Sequence, residues 1–190
     1  IKLAPVLACG NTVVLKPSSD APLLAALFMD VLEKAGMPAG VVNLLTGPGG
    51  SVGDYLVEHP KTRFVSFTGS KGVGLGIIEK AAKTQKGQIW IKRVVAEMGG
   101  KDCIIVDSEA DLDEAALGTV IAAFGFQGQK CSACSRVIVD AKVYDEFLEK
   151  LVIQARKYHI GPVEDQKNWL GPVINEKAFN SIMEYIAVGK

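Results

Sequence analysis

Cys131 and Cys134 frame a Cys-Ser-Ala-Cys run that follows Gly128-Gln-Lys130. A thiolate is both a nucleophile and a metal ligand, and a CxxC pair is also a redox dithiol. Three chemistries therefore stay open. The pair can cycle between dithiol and disulfide. It can be half of a zinc site, although the chain has no second CxxC, and His59 and His159 stand far off in sequence. Or Cys131 alone is a nucleophile on a glycine-rich turn, with the Lys130 cation beside it favouring the thiolate. The plain alternative is a buried, inert thiol, as read for Cys9 and Cys103. Glu97 closes an apolar run and precedes Gly99-Gly100. A carboxylate entering an apolar site is held more protonated and suits a general base; a solvated Glu at a strand end is the competing reading.

Two glycine-bearing segments suggest anion contact. Gly47-Pro-Gly-Gly-Ser-Val-Gly53 follows an apolar run and opens a helix. Gly49 and Gly53 there would let a phosphate approach backbone N–H groups. The spacing is neither GxGxxG nor a P-loop, so taken alone the segment reads more readily as an ordinary turn. Phe67-Thr-Gly-Ser70 repeats the arrangement at another strand-to-helix junction. Lys16 sits before Pro17, which ends a strand and leaves the ammonium at the sheet edge, or merely in solvent.

These residues need strand ends to present them. Apolar runs predict strands at 13–15, 41–45, 63–67, 89–95, 103–106 and 136–139. Helical periodicity predicts helices at 22–35, 51–59, 70–83, 111–124, 143–158 and 176–188, with Asp20 and Asp111 as helix-start signals. Strand and helix alternating in this way imply parallel βαβ units with right-handed crossovers. The expected class is α/β: an open parallel Rossmann-like sheet plus part of a second α/β domain. Residues 1–97 and 98–190 are the expected parts, joined at Glu97-Met98-Gly99-Gly100, where glycine frees the backbone. Ligands bind such sheets at the carboxyl ends of strands, where Lys16, Gly49, Gly69 and Glu97 all fall.

Composition narrows the classes. The chain has 190 residues, with 21 Lys plus Arg against 21 Asp plus Glu, so no basic footprint for nucleic acid or an anionic membrane is present. No apolar stretch is long enough to span a bilayer. Four Cys are too sparse for a disulfide framework and read as thiols of a reducing compartment, hence cytoplasmic or, in a eukaryote, mitochondrial matrix. Trp90 and Trp169 read as packing residues.

Taken in order, the motifs resemble the aldehyde dehydrogenase superfamily. Val13-Val-Leu-Lys-Pro-Ser18 looks like its ribose-binding strand end, and Phe67-Thr-Gly-Ser70 with Gly74 like its dinucleotide turn. Glu97-Met-Gly-Gly-Lys101 looks like its general-base motif, and Gly128-Gln-Lys-Cys131 like its nucleophile motif, 34 residues on. Gly87-Gln-Ile-Trp-Ile-Lys-Arg93 and Gly125-Phe-Gln-Gly-Gln-Lys-Cys-Ser-Ala-Cys-Ser-Arg136 are further similar to the 1-pyrroline-5-carboxylate dehydrogenase branch. That branch oxidises glutamate γ-semialdehyde to glutamate in proline and arginine breakdown.

The resemblance implies NAD as cofactor, with NADP left open because Ser19 stands where many relatives carry Glu. It implies Cys131 as nucleophile and Glu97 as base. Lys16, Ser19, Gly49, Gly53, Gly69, Ser70 and Gly99 would line the cofactor. Ser132 would hold the amino-acid end of the aldehyde substrate, with Lys130 attracting its carboxylate. No metal is implied, Cys134 becomes a packing residue, and the parent protein would be a homo-oligomer. The Asn of the oxyanion hole, the Glu contacting the nicotinamide ribose and the dimer flap of the family find no counterpart here. The chain is therefore expected to be the middle of one more than twice as long.

Overall fold

A computed structural model describes residues 2–190. Two compact units emerge, Ile1–Met98 and Gly99–Lys190. Among the described residues no helix is long and apolar enough to cross a membrane.

In the first unit the order is α1 (Leu3–Ala8), β1 (Val13–Leu15), α2 (Pro22–Lys34), β2 (Val42–Leu44), α3 (Asp54–Glu58), β3 (Phe64–Thr68), α4 (Lys71–Ala82) and β4 (Arg93–Glu97). Strands β1 and β2 pair in parallel with Val14 opposite Asn43. Strands β3 and β4 pair in parallel with Thr68 opposite Glu97, so both strands end level. Val57 of α3 and Ile77 and Ala81 of α4 pack on Val65, Phe67 and Val94 of this ladder. Pro22 occupies the first turn of α2, where its missing N–H costs nothing. Asp20 does not cap that helix; Ala21 is its N-cap and makes no side-chain cap bond. Between β2 and α3 the segment Gly49–Gly53 winds as a wide π-type turn, where a continuous α-helix from residue 51 is expected.

The predicted strand over 89–95 is real only from Arg93. Before it, side chains claim the backbone partners: Gln88 Nε2 donates to Trp90 O at 2.7 Å, and Trp90 Nε1 to Thr62 O at 3.3 Å. The Arg63 guanidinium stacks over the Trp90 ring at 5.8 Å. Lys92, buried, donates to Val57 O at the end of α3, 2.6 Å away. Burial pushes the Lys92 ammonium below the ordinary lysine range, and the charge of Glu58 partly offsets this.

The second unit runs β5 (Asp102–Val106), α5 (Leu112–Phe124), β6 (Cys134–Val139), α6 (Tyr144–Arg156), β7 (His159–Ile160), β8 (Asn168–Leu170) and α7 (Glu176–Gly189). Asp111 lies one residue before α5 and caps it, accepting from Asp113 N at 3.0 Å and Glu114 N at 3.1 Å. Val106, Ala116 and Phe147 form the core, under Ile104, Val137 and Val139. The opposite face of the β5–β6 ladder is open, with register partners Ile105 and Ile138 at 72% and 56% exposure. Tyr158 and Trp169 stack with ring centroids 3.9 Å apart, which gives Trp169 its packing role.

Every strand pairing is parallel, so the α/β class holds. The described strands form four two-stranded ladders, β1–β2 and β3–β4 in the first unit and β5–β6 and β7–β8 in the second. Parallel strands need both faces covered, and the β5–β6 ladder leaves one face open.

Candidate functional site

The predicted chemistry lies at strand ends, with Lys16 and Glu97 at carboxyl ends in the first unit and Cys131 ahead of the amino end of β6 in the second. In the second unit, α5 runs into a 3₁₀ turn at Gly125–Gly128, and Cys131 follows, exposed, just before β6. Phe126, Gln127 and Gly128 have φ values of 53°, 60° and 70°, three consecutive residues in the left-handed region. Side chains make that conformation costly, and only Gly128 escapes the penalty. Ala133 N closes the turn on Lys130 O at 3.2 Å. A register shift in the β5–β6 ladder at Asp102/Cys103 leaves an extra residue, Ser135, on β6 just beyond. Bulges of this kind redirect side chains beside active sites.

Gly100 backs this turn. A Cβ there would collide with the Cys131 carbonyl oxygen and stand 2.8 Å from Asp102 Oδ2. Ser132 is exposed next to the nucleophile candidate. The Lys130 Nζ reaches back to Ile121 O at 3.5 Å, an exposed contact near the carbonyl end of α5 where a cation is favoured. Its expected pull on a substrate carboxylate or on the thiolate therefore competes with this local partner. The Cys134 thiol, half-buried, donates to Arg136 O at 3.2 Å, which suits a packing residue better than a redox partner. Among the described residues no cluster of three His, Cys, Asp or Glu is placed to hold a metal.

In the first unit Glu97 ends β4, exposed, beside Thr68. The apolar enclosure expected around its carboxylate is not formed within that unit: Val94 packs toward α3 and α4, while Val95, on the same face as Glu97, is itself exposed. Its carbonyl accepts from Gly69 N at 3.1 Å. That bond uses the Gly69 N–H expected for a phosphate. Gly69 is instead required by the Phe67 ring, whose Cζ would stand 2.5 Å from a Cβ. Ser70 precedes α4 with extended backbone and makes no capping bond, leaving its hydroxyl exposed. At Gly99, in the second unit, a Cβ would meet nothing within 4 Å.

Lys16, Ser19, Gly49 and Gly53 meet at the β1–β2 edge. Lys16 Nζ donates to Pro17 O at 2.8 Å and Gly47 O at 3.1 Å, and Ser19 Oγ donates to Gly47 O at 3.3 Å. The Lys16 stem lies over Gly53, 3.5 Å from a Cβ there, while Gly49 and Gly50 face open space. An ammonium has three donors, so one remains for a ligand. A fixed cation, a hydroxyl and an open glycine backbone at a parallel strand end fit a dinucleotide. Two residues of the site escaped sequence reading. Gly100 stands in the Glu97–Lys101 motif and Gln127 in the Gly125–Arg136 motif, but neither has a role of its own in the sequence reading.

A family model described as "Aldehyde dehydrogenase family" matches residues 1–190. The chain is 58% identical over 184 residues to a 1-pyrroline-5-carboxylate dehydrogenase of Geobacillus thermodenitrificans, covering 97% of this chain and 36% of that protein. It is 55% identical over 181 residues to the enzyme of that name from Bacillus subtilis, covering 95% of this chain and 35% of the relative. A solved 1-pyrroline-5-carboxylate dehydrogenase from Thermus with bound NAD superposes with a TM-score of 0.90 at 48% identity, covering 95% of this chain and 35% of that one. The chain thus spans about a third of the length of the relatives it matches.

Proposed function

The chain belongs to the aldehyde dehydrogenase family, and on that premise we propose that it supplies the nucleophile, the base and part of the cofactor edge of an enzyme oxidising glutamate γ-semialdehyde to glutamate. The 58% identity to a 1-pyrroline-5-carboxylate dehydrogenase across 97% of the chain carries this reading. The complete reaction belongs to a protein of the relatives' length, which would act as a homo-oligomer.

The chemistry assigns each residue one task. The Cys131 thiol loses its proton to solvent, and the thiolate sulfur adds to the aldehyde carbon to form a thiohemiacetal. The Cys131 backbone N–H donates to the resulting oxyanion, a contact of a kind worth about 3 kcal/mol in the transition state. NAD, when bound, supplies the hydride acceptor, so that the sulfur adduct is left as a thioester. Glu97 then takes a proton from water, whose oxygen attacks the thioester carbon, releasing the carboxylate product and the Cys131 thiolate. Lys16 would hold the adenosine ribose, and Ser19, Gly49, Gly53 and Ser70 would line the dinucleotide with Gly99. Gly69 would act by admitting the Phe67 ring at that edge. Ser132 would anchor the amino-acid end of the substrate, with Lys130 contributing only if it leaves Ile121 O. NAD is preferred; without an acid at position 19, NADP is also accommodated.

The decisive experiment follows NADH absorbance when the full-length enzyme meets NAD and pyrroline-5-carboxylate. Turnover should vanish in Cys131→Ala, and Glu97→Gln should release one equivalent of NADH and then stall at the thioester. Steady turnover in Cys131→Ala sinks the assignment.

A further inference from the structure

We infer that Gln127 is a positioning residue that holds the Cys131 turn, an inference that rests on Cys131 being the nucleophile. Its carboxamide Nε2 donates to two successive carbonyls, Gly171 O at 2.7 Å and Pro172 O at 3.1 Å. Those carbonyls directly follow β8, 44 and 45 residues away in sequence. The same carboxamide accepts, through Oε1, from Gln129 Nε2 at 3.1 Å. Gln127 therefore ties three things together: its own left-handed backbone, the residue two before the nucleophile and the segment after β8.

The backbone explains why a clamp is needed. Phe126 and Gln127 hold φ of 53° and 60° with ψ of 33° and 28°. Neither residue type favours this region, and it persists only where surroundings enforce it. Gly128 completes the turn with φ of 70°, and a Cβ there would stand 3.0 Å from Ala123 O. Within this turn the backbone bonds are few: Gln129 N to Phe126 O at 3.1 Å and Lys130 N to Gly128 O at 2.9 Å. Both are local and move with the loop. The Gln127 carboxamide bonds reach outside it, so they fix where the Cys131 sulfur stands.

The test uses two variants of the full-length enzyme. Gln127→Met keeps the side-chain length and loses both donors. Gln127→Asn suits the left-handed backbone better but is one methylene too short to reach both carbonyls. Both should lower kcat about 30-fold, the worth of two ordinary hydrogen bonds, with the KM for NAD unchanged. Hydrogen exchange should quicken at 125–133 and stay constant in α6. Gln127→Asn should keep the wild-type melting temperature despite the lost turnover. Wild-type kcat in both variants overturns the inference. So does a loss of kcat that tracks melting temperature with faster exchange throughout the unit, which would make Gln127 a folding residue. Cys131→Ala, run alongside, separates the two ideas. If it stays active, the nucleophile assignment has failed. If it is dead while Gln127→Met is normal, only the clamp has failed.

Discussion

Gly100→Ala turns the closest backbone contact of the nucleophile turn into a measurable quantity. The added Cβ would meet the Cys131 carbonyl oxygen inside van der Waals distance, and Asp102 Oδ2 at 2.8 Å. The Asp102 carboxylate ends a flexible side chain and can swing away. The Cys131 carbonyl is backbone and can give way only if the turn shifts. Restoring ordinary contact takes a displacement of about 1 Å, and a misplacement of that size at a reacting atom costs on the order of 100-fold in rate. Crowding of this kind destabilises by about 1–3 kcal/mol, and lost chain entropy in the unfolded state returns only about 0.4–1 kcal/mol. The full-length enzyme carrying Gly100→Ala should therefore melt slightly lower and lose about 100-fold in kcat, a far larger effect on turnover than on stability. Gly99→Ala is the steric comparison, since a Cβ there meets nothing within 4 Å; its melting temperature should match wild type. Equal kcat for Gly100→Ala and wild type would refute the close approach of Gly100 to the Cys131 backbone.

Two further outcomes test how the scaffold is held. Burial lowers the folded-state pKa of Lys92 below its ordinary 10.5, so between the two values the folded chain binds fewer protons than the unfolded one. Its contribution to stability is present above the unfolded pKa and is lost as pH falls through the folded one. Urea unfolding of wild type and Lys92→Met from about pH 8 to 11 should show wild type gaining on the variant as pH rises; parallel curves would contradict it. Asp111→Ala removes a cap that serves Asp113 N and Glu114 N, which should cost about 1 kcal/mol of unfolding free energy, read from the denaturant midpoint, and an unchanged midpoint would show that the first turn of α5 needs no cap.

The residue types that do chemistry could be read locally; the contacts that aim them could not. Period-two and period-3.6 patterns place β1, β3, β5, α4 and α5 within a residue or two, because each pattern reports a face that must be buried. They also put Lys16 and Glu97 at strand ends. The same patterns say nothing of what covers a face: Leu23, Leu24 and Leu27 repeat at helical spacing in α2, yet stand 69%, 71% and 51% exposed. Ile89 and Ile91 likewise alternate as a strand should, and stand 85% and 90% exposed, because Trp90 and Lys92 are pinned elsewhere. Several bonds that hold these residues join positions far apart in sequence. Lys16 reaches Gly47 across 31 positions, Lys92 reaches Val57 across 35, and Gln127 reaches Gly171 across 44. The left-handed turn at Phe126 and Gln127 makes the point most sharply. Local preference argues against it at both residues, so no window around position 127 can reveal it. It exists because a carboxamide finds two carbonyls that the chain brings back only after α6, β7 and β8. A site built this way shows its reagents in the sequence and its geometry only in the fold, which is why substitutions at silent positions such as Gly100 and Gln127 should be as informative as those at Cys131.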